Sequence, residues 1–161
     1  MNKKSYNLET IHKAVKEYRF DEALKLLKSN LFSDPDHRDS LYLAAVCTRY
    51  LKRYEDSKNY LKKLLINVVD GENGTGRSLK LENYIIGGKT GTSRTHIEGV
   101  GYSDYRYNTS FTGFIETSKG PVVGSVILWG ASVNPRSEYV TGGSTAAPIF
   151  KNIVSNLVPG E

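Results

Sequence analysis

The 161-residue sequence predicts an α+β protein: N-terminal helix–turn–helix repeats, then a three-stranded antiparallel meander with a C-terminal helix packed on it. Three observations support this prediction. All 15 glycines lie in residues 71–161 and none in residues 1–70, which indicates two segments of different structural class. The glycine-free segment places apolar residues at helical spacing. The glycine-rich segment has short apolar runs separated by turn residues, and it ends in one amphipathic stretch.

Composition and charge exclude several classes of protein. The 22 Lys+Arg against 17 Asp+Glu give a net charge of +5, which falls short of the basic surface expected of a nucleic-acid-binding protein. Cys47 is the only cysteine, so neither an intrachain disulfide nor a cysteine-built zinc site can form. No apolar run is long enough to span a membrane, and no signal peptide is visible. We therefore expect the chain, as it stands, in the cytoplasm.

Residues 8–31 and 40–66 carry the helical pattern, and Pro35 breaks the chain between them. Asp21 and Asp36 stand where N-caps are expected. The segment also repeats with a period of 34, because Arg19–Ala23 aligns with Arg53–Ser57. A helix–turn–helix unit of this length is typical of one class of repeat protein.

The repeated segment resembles the tetratricopeptide repeat family. Phe20 and Tyr54 match the aromatic residue that opens the second helix, and Ala23 and Ser57 match the small residue where the two helices touch. The first helix of the first repeat departs from the family pattern. We therefore expect about two repeats in residues 1–66, with a generic helical bundle as the alternative. The resemblance implies a protein partner bound by the repeats.

The second predicted domain, residues 67–161, begins with a strand at Tyr84–Ile86 that runs into the Gly-Gly-Lys-Thr-Gly-Thr sequence. A polar, tyrosine-rich loop is predicted over residues 93–107. Strands are expected over residues 108–117 and 121–130, joined by a tight turn at Gly120-Pro121. Residues 145–157 have apolar residues on one face and predict the final helix.

The sequence Lys89-Thr90-Gly91-Thr92 has a chemistry suited to binding a carboxylate. The Lys89 ammonium favours a nearby negative charge, and the Thr90 hydroxyl can hydrogen-bond a carboxylate oxygen. Gly91 allows a ligand to lie close to the strand. A lysine and threonines on an ordinary exposed strand are the structural alternative. The segments on either side of the motif are therefore needed to decide between a ligand-binding site and an ordinary strand.

Those flanking segments resemble the C-terminal end of the transpeptidase domain of penicillin-binding proteins. The matching segments are Gly74-Thr75-Gly76 before the motif, then Tyr107–Phe114 and Gly142-Gly143 with Ala146–Phe150 after it. The resemblance implies that Lys89, Thr90, Gly91 and Thr92 bind substrate, and that the Thr92 N–H serves an oxyanion hole. It also implies a peptidoglycan stem peptide or a β-lactam as ligand, and a family that acts outside the cytoplasmic membrane. An unrelated α+β fold with a chance Lys-Thr-Gly is the alternative.

The nucleophile of that family is not in this sequence. The full signature is Ser-x-x-Lys, then Ser-Asp-Asn, then Lys-Thr-Gly, and no serine here is followed by lysine three positions on. His12, His37 and His96 lack the spacing of a metal site, and no Gly-x-Ser-x-Gly appears, so neither a metal nor a cofactor is expected. We expect no independent transpeptidase, carboxypeptidase or β-lactamase activity. A non-catalytic binding or scaffold protein is the alternative function.

The predicted strand over residues 121–130 is apolar and would form an unpaired sheet edge. Such edges promote pairing between chains. The sequence therefore predicts a homo-oligomer formed through this edge.

Overall fold

The computed structural model describes residues 7–132 and 140–157. It divides into two compact units, Met1–Leu64 and Leu65–Glu161. Four helices come first in the chain: α1 (Leu8–Lys16), α2 (Phe20–Ser33), α3 (Arg38–Tyr50) and α4 (Tyr54–Asp70). Helix α4 begins in the first unit and ends in the second.

The first unit packs its helices through small buried residues. Ala14, Ala23 and Ala44 are fully buried and share one apolar cluster with Ile11 and Leu27. The Ser57 hydroxyl of α4 donates a hydrogen bond of 2.9 Å to the Ala45 carbonyl of α3. Small side chains therefore allow close helix packing. The buried Ser57 hydroxyl has a hydrogen-bond partner in this contact, as buried polar groups require.

The predicted N-caps at Asp21 and Asp36 are wrong. Helix α2 begins at Phe20 after Arg19, which makes no side-chain cap. Helix α3 is capped by His37, whose Nδ1 accepts from the Ser40 N–H at 3.2 Å. Asp21 instead lies in the first turn of α2, where a carboxylate still favours the positive end of the helix dipole.

The second unit contains a 3₁₀ turn (Arg77–Leu79), then strands β1 (Ile86–Ile97), β2 (Gly101–Thr117) and β3 (Gly120–Ala131), then helix α5 (Ala146–Leu157). The strands form one antiparallel sheet in the order β1-β2-β3. The predicted meander followed by a C-terminal helix is therefore confirmed.

One face of the sheet carries the core of the second unit. Phe111 on β2 pairs with Thr90 on β1 and Val126 on β3, and its ring lies 4.9 Å from that of Phe150 on α5. Phe111 is completely buried. The remaining buried members of this core are Val69, Leu79, Ile86, Ile115, Ala146, Ala147 and Val154.

The predicted polar loop over residues 93–107 is wrong for most of its length. β1 continues to Ile97 and β2 starts at Gly101, so this segment is the outer part of a long hairpin. An ion pair of 3.2 Å joins Arg94 to Asp104, and the His96 and Tyr102 rings meet edge to face. The sequence predicts a loop here because polar residues lie on both faces of the segment. It therefore lacks the alternation that predicts a half-buried strand.

A tight turn joins β2 to β3 as predicted, but Ser118-Lys119 form its tip and Gly120-Pro121 begin β3. Thr117 pairs with Gly120, which leaves two residues at the tip. Gly120 has φ of +110°, a conformation that favours glycine.

Strand β3 lies at the edge of the described sheet, since it pairs with β2 alone there. Its outward side chains are strongly exposed: Val123 to 72%, Ile127 to 51% and Trp129 to 76%. The predicted apolar edge is therefore present. No helix in the described ranges has the length and hydropathy needed to cross a membrane.

Candidate functional site

The four predicted site residues lie together on β1, at the second edge of the described sheet. Lys89 and Thr92 are exposed, and Thr90 and Gly91 are half-buried. β1 pairs with β2 on one side, and no strand of residues 7–132 or 140–157 pairs with its other side. An extended ligand can therefore approach the backbone of this strand.

Strand alternation sends neighbouring site residues to opposite faces of the sheet. Thr90 is in register with Phe111 and so lies on the face that carries the core and α5. Lys89 is in register with Thr112 and lies on the other face. Only a ligand at the strand edge can therefore reach both side chains.

Lys89 provides a positive charge without a neutralising carboxylate. Its Nζ donates to the Thr90 carbonyl oxygen at 2.9 Å, and in the described part of the chain no Asp or Glu forms an ion pair with it. An ammonium held in this way attracts an anion to the strand edge.

Both site hydroxyls are held by segments outside β1. The Thr90 and Thr75 hydroxyl oxygens lie 2.8 Å apart. The Thr92 hydroxyl oxygen accepts from the Gly142 N–H at 3.0 Å. Sequence reasoning identified Thr75 and Gly142 only as parts of flanking matches and gave them no role.

Glycine is needed where these segments meet β1. A Cβ on Gly142 would overlap the Ser110 carbonyl oxygen and lie 2.6 Å from the Gly91 oxygen. A Cβ on Gly143 would overlap the Thr75 carbonyl oxygen. Gly142 thus lies against Gly91 and Gly143 lies against the Thr75 segment, and the Gly-Gly pair in the sequence is the signal that could have identified this contact.

Three other reactive side chains, Cys47, His37 and His96, are buried or have structural partners. Burial raises the pKa of the Cys47 thiol to about 11, so the nucleophilic thiolate is disfavoured at neutral pH. His37 caps α3, and His96 packs on Tyr102. No set of three His, Cys, Asp or Glu side chains among the described residues could hold a metal ion.

The arrangement defines a class of site: a cationic strand edge lined by hydroxyls, suited to a ligand that ends in a carboxylate. The model of the penicillin binding protein transpeptidase domain matches residues 55–155. The chain therefore belongs to the penicillin-binding protein transpeptidase family. The match includes the three strands, α5 up to Ser155 and all of α4 except Tyr54, and helices α1 to α3 lie before it.

Curated relatives match a similar length of this chain. A peptidoglycan D,D-transpeptidase FtsI homolog from Chlorokybus atmophyticus is 38% identical over 98 residues, which are 60% of this chain and 14% of that protein. Stage V sporulation protein D from Bacillus subtilis is 33% identical over 105 residues, which are 65% of this chain and 15% of that protein. The match therefore spans about a seventh of the length of these relatives.

Two solved structures align with part of this chain. The transpeptidase domain of penicillin-binding protein 3 from Burkholderia pseudomallei aligns with 63% of this chain and 29% of its own length, at 27% identity and a TM-score of 0.49. Penicillin-binding protein 3 from Mycobacterium tuberculosis aligns with 65% of this chain and 24% of its own length, also at 27% identity and a TM-score of 0.49.

Proposed function

We propose that the second unit forms the carboxylate-binding wall of a peptidoglycan transpeptidase site. The observation that supports this most directly is the Lys89–Thr92 edge, which offers an ammonium without a carboxylate partner and two hydroxyls held in place. A stem peptide ending in D-Ala-D-Ala presents a terminal carboxylate on an extended backbone, and a β-lactam presents an equivalent carboxylate. Family membership makes these the first ligands to test.

The roles proposed for the four residues combine their chemistry with the resemblance to the family, which implies the role of the Thr92 N–H. Lys89 supplies the positive charge, and Thr90 and Thr92 donate hydrogen bonds to the carboxylate. Gly91 leaves the edge open to the ligand backbone, and the Thr92 N–H serves the oxyanion of the acyl-transfer step. Acyl transfer needs a serine nucleophile with its base, and the Ser-x-x-Lys sequence that provides them is not among the 161 residues. The proposed activity of this chain by itself is therefore binding without turnover.

Two measurements test this proposal. The purified chain is incubated with a fluorescent penicillin, and we expect no covalent band on a denaturing gel. The chain is then titrated in an NMR experiment with diacetyl-L-Lys-D-Ala-D-Ala and with the C-terminal amide of the same peptide. We expect shifts at Lys89–Thr92 with the acid and much weaker shifts with the amide.

The matched variants are Lys89→Gln and Lys119→Gln. Lys119 is an exposed lysine in the β2–β3 turn, so its substitution removes the same charge away from the site. Lys89→Gln should weaken binding of the acid roughly tenfold, whereas Lys119→Gln should leave it unchanged. Equal binding of acid and amide by the unaltered chain would reject the proposed function. A serine labelled by penicillin would reject the proposed lack of turnover.

We further propose that helices α1 to α4 are two tetratricopeptide-like repeats that bind a protein partner. The repeat interpretation is supported by Tyr18 and Lys52, which stand 34 positions apart and both have φ of 59°, each between the two helices of its pair. It is also supported by Ala23 and Ser57, the aligned small residues, which are both buried.

A non-catalytic scaffold is the second candidate function, because three helices lie outside the family match. The two candidates differ in what accompanies the chain in its source cells. Co-purification with a chain that carries Ser-x-x-Lys would favour a site completed by that partner. Co-purification with other proteins through α1–α4 alone would favour the scaffold.

A further inference from the structure

The site hydroxyls on β1 are not free side chains on an exposed strand. Each makes a hydrogen bond to a segment distant in the sequence: Thr90 to Thr75 at 2.8 Å, and Thr92 to the Gly142 N–H at 3.0 Å. An exposed threonine without such a bond exchanges between rotamers, and a donor that exchanges contributes less to binding than a fixed one.

The loop that carries Thr75 is itself fixed. The Gly76 N–H donates to the Val68 carbonyl at the end of α4 at 2.8 Å, and the Gly74 N–H donates to the Gly71 carbonyl at 2.9 Å. On its other side the loop lies against Gly143, where a Cβ would overlap the Thr75 carbonyl oxygen. The backbone that carries Thr75 is therefore held by packing on two sides.

Counting the hydroxyl hydrogens shows what each direction of the Thr75–Thr90 bond would leave for a ligand. A hydroxyl has one hydrogen to donate and two lone pairs that accept. If Thr75 donates to Thr90, the hydrogen of Thr90 is left for a ligand. Thr92 already accepts from Gly142, so its hydrogen is likewise left for a ligand. Both hydroxyls then act as donors beside the Lys89 ammonium, which is the arrangement that a carboxylate requires.

We propose that Thr75 is a positioning residue of the carboxylate site, acting through Thr90 by donating to its hydroxyl oxygen. The inference rests on the proposed function, since it names what orients one of the donors of that site. The chain of bonds from Thr75 through Thr90 to the carboxylate also strengthens each member, because hydrogen bonds in series polarise one another.

The test uses the full chain and two variants of similar size. Thr75→Val removes the hydroxyl and keeps the shape of the side chain, and Thr75→Ser keeps the hydroxyl. We expect Thr75→Val to bind diacetyl-L-Lys-D-Ala-D-Ala roughly three- to tenfold more weakly, and Thr75→Ser to restore binding. Binding of the C-terminal amide should be the same in all three proteins.

A second measurement needs no ligand. Three-bond couplings to the Thr90 methyl carbon report the χ1 rotamer of that residue. We expect one rotamer in the unaltered chain and in Thr75→Ser, and rotamer averaging in Thr75→Val. A purely structural role for Thr75 would instead weaken acid and amide binding alike and shift resonances throughout the 71–76 loop.

The outcomes separate the two proposals. If the unaltered chain prefers the acid and Thr75→Val binds it equally well, the positioning role is rejected and the proposed function stands. If Thr90 already averages rotamers in the unaltered chain, the positioning role is rejected as well. If the unaltered chain does not distinguish acid from amide, both proposals fall.

Discussion

At the scale of single residues, the second unit depends on positions where no side chain fits. Gly88 precedes Lys89 on β1 and is buried against β2. A Cβ there would overlap the Phe111 ring and would lie 2.6 Å from the Thr112 carbonyl oxygen and 2.8 Å from the Gly113 Cα. Because two of these neighbours are backbone atoms, they cannot move aside without disturbing the ladder. The absence of a side chain beside the site lysine is therefore a packing requirement.

We expect Gly88→Ala to destabilise the protein by about 1–3 kcal/mol, the usual cost of overpacking a core. Ser93→Ala on the same strand is the matched control, because Ser93 is exposed, and its cost should stay within about 0.5 kcal/mol. Urea denaturation followed by circular dichroism measures both. Equal midpoints for the two variants would show that β1 can move away from Phe111.

Single residues also show what the sequence could not reveal. Lys89 through Thr92 were predicted as candidate ligand-binding residues, and the motif alone places them on one strand. Thr75 and Gly142 could not be given a role, because the contacts that bring them to β1 join positions 15 and 50 residues apart. Local sequence patterns do not encode such contacts.

At the scale of elements, the long β1–β2 hairpin is the main difference between prediction and structure. The inner part is apolar on the core face and was predicted, whereas the outer part is held by the strand ladder and by polar cross-strand pairs such as Arg94 with Asp104. One residue connects all three strands where their registers shift. The Asn108 Oδ1 accepts from the Thr95 hydroxyl on β1 at 3.0 Å and from the Gly130 N–H on β3 at 3.1 Å.

We expect Asn108→Leu to loosen the outer sheet, because it removes an acceptor shared by both neighbouring strands. Asn108→Asp keeps an oxygen at this position and is the matched control. The Gly130 amide should exchange with solvent deuterium roughly three- to tenfold faster in Asn108→Leu, the change expected from one lost hydrogen bond. Unchanged exchange at Gly130 would mean that Asn108 does not hold the two register shifts together.

At the scale of the whole molecule, we expect the apolar edge at β3 to govern how the chain behaves at high concentration. β3 contains no charged residue between Gly120 and Ala131, although edge strands are usually protected by charges. Val123, Ile127 and Trp129 are exposed along it. The sequence predicts association through this edge. The three exposed apolar side chains give a physical reason to expect it.

We expect the chain to associate as its concentration rises, and Ile127→Lys to reduce that association, since a charge on an edge strand opposes pairing. Asn59→Lys adds the same charge at an exposed position of α4 and serves as the control. Size-exclusion chromatography with light scattering measures the mass of each protein. A monomeric mass for the unaltered chain at every concentration would contradict the prediction.

The continuity of α4 has a consequence for how this protein can be divided. The helix contributes Tyr60 to the cluster of the first unit and Val69 to the core of the second, and the family match begins near its first residue. A fragment cut between residues 66 and 67 would keep only the last turn of α4 and would leave Val69 on a frayed end. A fragment that starts at residue 53 would retain the whole helix. The glycine boundary in the sequence therefore marks a change of composition, whereas we expect a separately expressed second unit to need a start one helix earlier.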